Sequence, residues 1–588
     1  MNPSLFRVSL LSAALLVAAL PAFSQEEVAP QDPAAGTFTE VTNVRVISVD
    51  VFVTDRSGDP VGGLAREDFE LFVDGQRTPI SNFYSEVGGR VRESVTPVER
   101  QRETRFTPIE QVQAAAADRR THVVVMVDHS RLRPANRKRA FRALREAVAQ
   151  LDDEDLISVV GVETGLVFYS DFLFDRQAIG EILDDLEEVR VNTEINEIER
   201  RQIYGLLARG QSGAFLARAS SNIDGGQILS RIQAYAAEEF NRSLGALRSM
   251  QGVIATMGGI EGRKALLWLG EGVVTRPGEG MFVEWRNRFG AGSDNVGVRR
   301  IDFDRDYTRT VGRYDLTDAM DRVADAANGA GVTIYAVDAE GNHGGIIRSA
   351  LTEQGSTSEA ISVVDENYRA PLEFATQATG GRLLRSSGKL AEQLAGLTRD
   401  FSTFYSLGFT VPEDWEAGTD HGIEVKVSGK RRTVRYREKV RLPKTGEKEA
   451  GATVASLLYE TSSNPLEIQA TPGSEAPRED GTAALPILIE IPVGKLDLVP
   501  TAETHNASLS IYVTVKDKNG NPRPVQTVPF HLNIPNDKVE DARARAAHYS
   551  LPLVIRAGDQ QAAIGVRDNV SGSFATIRVD LAQYSQSL

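Results

Sequence analysis

Val44, Val46, Val49, Val51 and Val53 open the patterned part of the chain as a β-rich run, which closes at the turn residues Asp55-Arg56-Ser57-Gly58. Phe69-Glu70-Leu71-Phe72-Val73 reads as a second strand ended by Asp74-Gly75, and Ile80 to Tyr84 as a third. The pattern then changes. His122 to Val127 is continuously apolar up to Asp128, as expected for a parallel strand buried on both faces. Pro134 opens a helix with Phe141, Leu144, Val148 and Leu151 on one face. Buried strands are expected at Leu156 to Val162, Ala265 to Leu269 and Val332 to Val337, with Leu166 to Tyr169 as a hairpin partner. Helices are expected around Ile179 to Leu186, Leu316 to Ala327, Leu372 to Thr379 and Leu390 to Leu397, and further strands at Arg382 to Leu384 and Phe404 to Phe409. Alternating strand and helix predicts a doubly wound α/β domain.

The same pattern divides the chain. Residues 38–88 form an N-terminal β module, 89–120 a polar linker, and 121–410 the α/β domain. Two insertions interrupt that domain, one mostly helical at about 192–262 and one Gly/Arg/Asp-rich at about 277–310. A β-hairpin region around Gly429 spans 411–443, a Gly/Glu/Lys-rich linker 444–453, and a β-sandwich-like domain 454–588. Asp50 to Val61 echoes Ile511 to Pro522 in its strand, turn and proline; short hairpins converge on this chemistry, so the echo is read as chance.

Residues 1–24 have the form of a secretory signal peptide: Arg7, an apolar run from Val8 to Leu20, and Ala22-Phe23-Ser24 before Gln25. A Pro/Ala/acid-rich tether follows at 25–37. The expected product is exported, periplasmic or extracellular, and not integral to the membrane once the signal is cleaved. Composition narrows the chemistry further. Among 588 residues, 66 Lys+Arg against 81 Asp+Glu give a net charge of −15, which argues against nucleic-acid binding. The absence of cysteine excludes thiolate metal centres and thiol nucleophiles.

In a doubly wound sheet, ligands bind beyond the carboxyl ends of the strands. Asp128-His129-Ser130-Arg131-Leu132, Gly270-Glu271-Gly272 and Asp338 fall there. Several stretches in order resemble the von Willebrand factor A family, in particular its group of VWFA-related secreted proteins of acidobacterial type. They are Val53-Thr-Asp-Arg-Ser-Gly58, Leu64-Ala-Arg-Glu-Asp-Phe69, Asp74-Gly75, Gly262-Arg-Lys-Ala-Leu-Leu-Trp-Leu-Gly-Glu-Gly272, Ile334-Tyr-Ala-Val-Asp338, Ala378-Thr-Gly-Gly381 and Tyr405-Ser-Leu-Gly-Phe409. The resemblance covers roughly residues 40–440 and implies a metal-ion-dependent adhesion site on an Asp-x-Ser-x-Ser loop.

Asp128 and Ser130 match the first two positions of that loop, Leu132 stands at the third without an oxygen, and Glu271 replaces the later aspartate. A middle-loop threonine has only Thr193 as a candidate. The metal ligands implied are therefore Asp128, Ser130 and Glu271, a degenerate set. Either no cofactor is held there or a hard cation, Mg²⁺ or Ca²⁺, is. The alternative, preferred on the residues alone, has Asp128 and Ser130 capping the helix that Pro134 opens. His129 reads as a solvated loop histidine.

No His-Glu-x-x-His, Gly-x-Ser-x-Gly or phosphate-loop pattern occurs, so no catalytic residue is assigned. The chain is expected to be a protein-binding, adhesion-like scaffold. A secreted hydrolase and a structural envelope component without a ligand site are the alternatives.

Overall fold

The computed structural model describes residues 46–88, 90–95, 120–163, 165–189, 194–216, 225–290, 309, 311–340, 358–385, 390–459, 461 and 463–585. The expected signal segment and tether, Thr193, and most of the charged stretch 299–309 lie outside the described residues. Val49, Val51 and Val53 are buried, and their strand β1 (Val46–Thr54) starts the first of two packed sheets. β2 (Phe69–Val73), β3 (Gln76–Thr78), β4 (Asn82–Val87) and β5 (Arg90–Val95) follow. The expected linker 89–120 thus begins with a strand: β5 lies against β4, from Val87↔Arg90 to Asn82↔Val95.

The apolar run expected to be a buried strand is one. β6 (Thr121–Asp128) is buried along its whole length. After it come α1 (Pro134–Val148), β7 (Leu156–Val162), β8 (Leu166–Phe168), α2 (Arg176–Glu188), α3 (Glu194–Leu216), α4 (Gly225–Met257), β9 (Arg263–Gly270), α5 (Glu279–Trp285), α6 (Thr317–Ala330), β10 (Val332–Asp338), α7 (Ser358–Ala378), β11 (Leu383–Arg385) and α8 (Leu390–Ser402). These strands make one six-stranded sheet in the order β11-β10-β9-β6-β7-β8, parallel except for β8 at the edge. Helices cover both faces. Phe141, Leu144, Leu183 and Leu397 pack on one face, and Leu247, Val253, Ile254, Val323 and Leu372 on the other.

Three expectations change here. The strand at Phe404 to Phe409, grouped by its position in the chain with the α/β domain, is not in that sheet. β12 (Thr403–Thr410) pairs antiparallel with β1 and β4. Phe404, Tyr405, Leu407 and Phe409 are buried, so its apolar composition suits the middle of a sandwich as well as a parallel sheet. Tyr405 fixes the strand: its ring lies 4.9 Å from Phe69, and its hydroxyl donates to the Val61 carbonyl at 2.7 Å.

Nor is 411–443 a simple hairpin. β13 (Asp420–Val427) pairs with β2 and with β15 (Lys439–Arg441), whereas β14 (Thr433–Tyr436) pairs with β1 in the opposite sheet. Strands from before and after the α/β segment therefore build one sandwich together.

The third change concerns 444–453, expected to be a linker. α9 (Glu447–Leu458) places Ala455 and Leu458, with Tyr459, in the core under the α/β sheet. The helix packs closely on Gly259, where an added Cβ would meet the Ala452 backbone nitrogen at 1.9 Å. On its other side Arg567 reaches Glu449 at 3.2 Å, from a strand of the C-terminal sandwich.

That sandwich has two sheets. Thr482–Pro492 and Ala546–Arg556 pair in one, and Thr504–Lys516, Gln526–Pro535, Gln561–Asp568 and Phe574–Asp580 lie in the other around a common core. The two echoed turns are locally alike. Asp55 and Asp517 each accept from backbone N–H groups two and four residues on, and Gly58 and Gly520 each take a positive φ. The chain then changes sheet after the first turn but folds straight back after the second, so the likeness ends with the turn. Among the described residues no helix is long and apolar enough to cross a membrane.

Gly259→Ala is expected to lower stability by about 1–3 kcal/mol, because the added methyl meets backbone and not a flexible side chain. A lower Tm together with faster proteolysis near Lys444 would check it.

Candidate functional site

The site follows from where the strands stop. β6 ends at Asp128, β9 runs into Glu271 and β10 ends at Asp338, which brings the Asp128–Leu132 loop, Glu271 and Glu340 to one edge of the sheet. Asp128 is fully buried, and its Oδ1 accepts from the Ser130 hydroxyl at 2.6 Å. Its Oδ2 has no hydrogen-bond partner. Burial pushes the Asp128 carboxyl above its usual range, against the pull of Arg131 and Ser130.

Neither side chain caps the helix. The first helical residue is Pro134, and it is the Glu271 carboxylate, from a different strand, that accepts the Arg133 N–H at 2.9 Å. Glu271 also accepts from Asn136 Nδ2 at 3.0 Å and from the Arg133 guanidinium. The long reach of a glutamate lets this acid take over a position expected to be filled locally.

The three residues assigned as metal ligands are thus neighbours whose oxygens are mostly engaged. Glu271 gives both its oxygens to Arg133 and Asn136, and Ser130 donates to Asp128. Leu132, at the oxygen-free third position, is buried in the core beneath the loop. Arg131 and Arg133 put two guanidinium groups where a cation would have to sit, and like charges at such range repel strongly. Among the described residues no group of three or more His, Asp or Glu side chains is placed to hold a metal ion.

His129, expected in solvent, is fully buried, with its Nδ1 2.7 Å from Arg137 Nη2. Burial and then the Arg137 charge bring its pKa down to about 4, so the ring is neutral at pH 7.

The charged partners come from the helical insertion. Arg131 donates to Glu239 Oε1 at 2.8 Å and to Ser243 Oγ at 2.7 Å, both on α4, and to the Gly272 carbonyl at 3.2 Å. Arg242 bonds Glu239 Oε2 at 3.0 Å and the Ser130 carbonyl at 2.5 Å. The Arg131 and Glu239 side chains are 4% and 5% exposed, so this is a buried ion pair. Burial alone would raise the Glu239 carboxyl; Arg131 and Arg242 outweigh it and hold the acid ionised below its usual range.

Arg133 also reaches Glu340 at 2.8 Å, and Arg200 on α3 pairs with Glu197 at 2.8 Å. Above this network α3, the first half of α4, α5 and α7 share a core of Ile203, Leu207, Ile232, Phe282 and Trp285. The first part of the expected loop 277–310 is therefore a buried helix. The network was missed because the acids that meet Arg131 and Arg133 arrive from more than a hundred residues away. The one local signal was Arg131 and Arg133 flanking Leu132, cations inside a loop otherwise suited to a metal.

No protein-family model and no curated protein matches the chain. Among solved structures, a von Willebrand factor type A protein from Catenulispora acidiphila is similar at 9% identity and a TM-score of 0.23, over 71% of this chain and 80% of that one. The pilus adhesin SpaC from Lactobacillus rhamnosus GG is similar at 10% identity and a TM-score of 0.20, over 78% of this chain and 53% of the adhesin.

Two predictions follow from the burial of these groups. Glu239→Ala strands Arg131 and is expected to cost about 3–5 kcal/mol in urea unfolding. The double variant Arg131→Met, Glu239→Leu should recover most of that loss. His122 is also held down to about 4, by burial and then by Lys264. Because folding depresses both imidazoles below their unfolded value near 6.5, the unfolded chain binds more protons between the two values. The share of stability that depends on these two histidines is therefore complete above pH 6.5 and falls towards pH 4, by up to about 3 kcal/mol for each. His122→Phe should remove its share of that slope.

Proposed function

We propose that this chain is an exported protein-binding scaffold built on a von Willebrand factor A-type α/β domain, acting by binding and not by catalysis. The observation that carries the reading is the sheet itself. A doubly wound sheet with one antiparallel edge strand holds Asp128 and Ser130 at the carboxyl end of its central strand β6, the edge at which such sheets take ligands. The arrangement of groups favours binding. Ser130 donates to a carboxylate and not to an imidazole, and His129 is neutral and turned to Arg137, so no base stands ready to activate the hydroxyl.

The loop works without a divalent cation in this reading, because Arg131 and Arg133 supply the positive charge that Asp128, Glu239 and Glu271 require. A purely structural component is the second reading. It is favoured by α4, which bonds the loop directly through Glu239, Arg242 and Ser243.

Thermal unfolding in chelator and then with Mg²⁺ or Ca²⁺ tests the cation. Tm should not move, whereas a metal held 100-fold above its Kd would add about 2.7 kcal/mol. Export is tested by fractionation, with the mature chain expected to begin at Gln25. A cytoplasmic, uncleaved product would refute it.

A further inference from the structure

α9 lies against one sheet of the C-terminal sandwich, where a Cβ on Gly565 would meet the Thr453 hydroxyl at 2.5 Å. The other sheet turns an open face to solvent. Along its two long strands, Thr482–Pro492 and Ala546–Arg556, alternate residues such as Ile487 and Leu553 fill the core. The outward residues pair as Ala484↔Val554, Pro486↔Pro552 and Leu488↔Ser550. None of them is charged, in a chain that is 25% charged, and Leu488 and Val554 are 39% and 38% exposed. Uncharged apolar patches of this kind mark interaction surfaces, whose centres are depleted in charge. We propose that this face joins two copies of the chain about a two-fold axis that crosses the strands at Pro486 and Pro552.

A second copy is chosen because the face complements itself. Such an axis reverses the strands, so Leu488 of one copy lies over the partner's Ala484, and Val554 over the partner's Ser550. Large side chains meet small ones in both rows. The ends also match. Glu490 and His548 stand at one end, and Arg556, with Asp480 bonded to Thr482 beside it, at the other. Reversal brings Glu490 to the partner's Arg556 and His548 to the partner's Asp480, once at each end. An axis along the strands would set Leu488 on Leu488 and Glu490 on Glu490, crowding large groups and opposing like charges.

Association edge to edge is blocked. Among the described residues Ala546–Arg556 pairs only with Thr482–Pro492. The Pro486 carbonyl accepts from the Gly473 N–H at 2.7 Å, away from Pro552, so the two prolines form a non-hydrogen-bonded pair and Pro552 faces the free edge. Proline offers no N–H there. Face to face, alanine and proline lose no rotamer freedom. The patch from Thr482 to Glu490 measures about 27 Å by 14 Å, or roughly 400 Å² per copy. That is about half of a standard interface, so the dimer is weak and reversible. It does not depend on what the strand-end loop binds.

Sedimentation equilibrium of the purified chain from about 1 μM to about 1 mM spans the range that a small interface needs. The mass is expected to rise from one chain to two and stop there, since an isologous contact closes. Leu488→Lys, at an exposed position, should stay monomeric at the highest concentration with Tm unchanged. Arg556→Glu should weaken the dimer about tenfold, as two attractions become two repulsions, and Glu490→Arg added to it should restore association. Monomers at every concentration would overturn the proposal and leave the face to a different partner. So would growth beyond two chains, or a dimer that Leu488→Lys leaves intact. Failure of the paired charge exchange to restore association would overturn the strand-crossing axis.

Discussion

The Arg131–Glu239 ion pair is the contact on which the arrangement at the strand ends depends. It joins the loop after the central strand to a helix more than a hundred residues away, and both side chains are almost entirely out of water. A pair in that position gains little net stability, since the Coulomb attraction is largely consumed in desolvating two ions. Its effect is on specificity. Once Glu239 is buried, only a register of α4 that brings it to Arg131, and brings Arg242 to the Ser130 carbonyl, is tolerable. Ser243, one turn further on, receives the same guanidinium. The helical cover therefore has one permitted seat.

The opposite edge of the sheet is fixed by another set of arginines. Arg263, at the start of β9, lies 3.4 Å over the Phe404 ring and bonds Asp50 at 3.2 Å. Arg382 and Arg435 hold the buried Asp400 from two sides, both at 2.8 Å. The amino ends of the strands are thereby tied to the first sandwich and the carboxyl ends to the helical cover. Arginine serves at both because its planar donor fork can satisfy several acceptors at once without losing its charge.

Much of the fold was legible in the sequence, for a local reason. β6, β7, β9 and β10 are continuous apolar runs, and the helices between them carry apolar positions at helical spacing. What was not legible was partnership. β12 is apolar on both faces, as a parallel core strand would be, and nothing within it says that its neighbours are β1 and β4. α9 reads as a linker because the chain from Pro443 is rich in Gly, Glu and Lys; the small Gly451 and Ala452 there are what a close approach to Gly259 requires. At the site, Asp128, Ser130 and Glu271 were identifiable as a group at the strand ends. Their hydrogen bonds to Arg133, Asn136 and each other follow from distances that only the folded chain sets.

The pairing of β1 with β12 also orders events in time. Val46 lies opposite Thr410 and Val51 opposite Tyr405, so the first strand of the sandwich meets its central neighbour only after the whole α/β segment has been made. Contacts this distant in sequence close slowly, because a long loop must be ordered before they contribute. Until then the valine face of β1 has no sheet to join, and an unpaired apolar strand invites association with other chains. The α/β segment, whose parallel strands all lie within one continuous stretch, can assemble first and bring the two halves of the sandwich together. In this architecture the inserted domain is the template, and the sandwich around its ends is the last part to close.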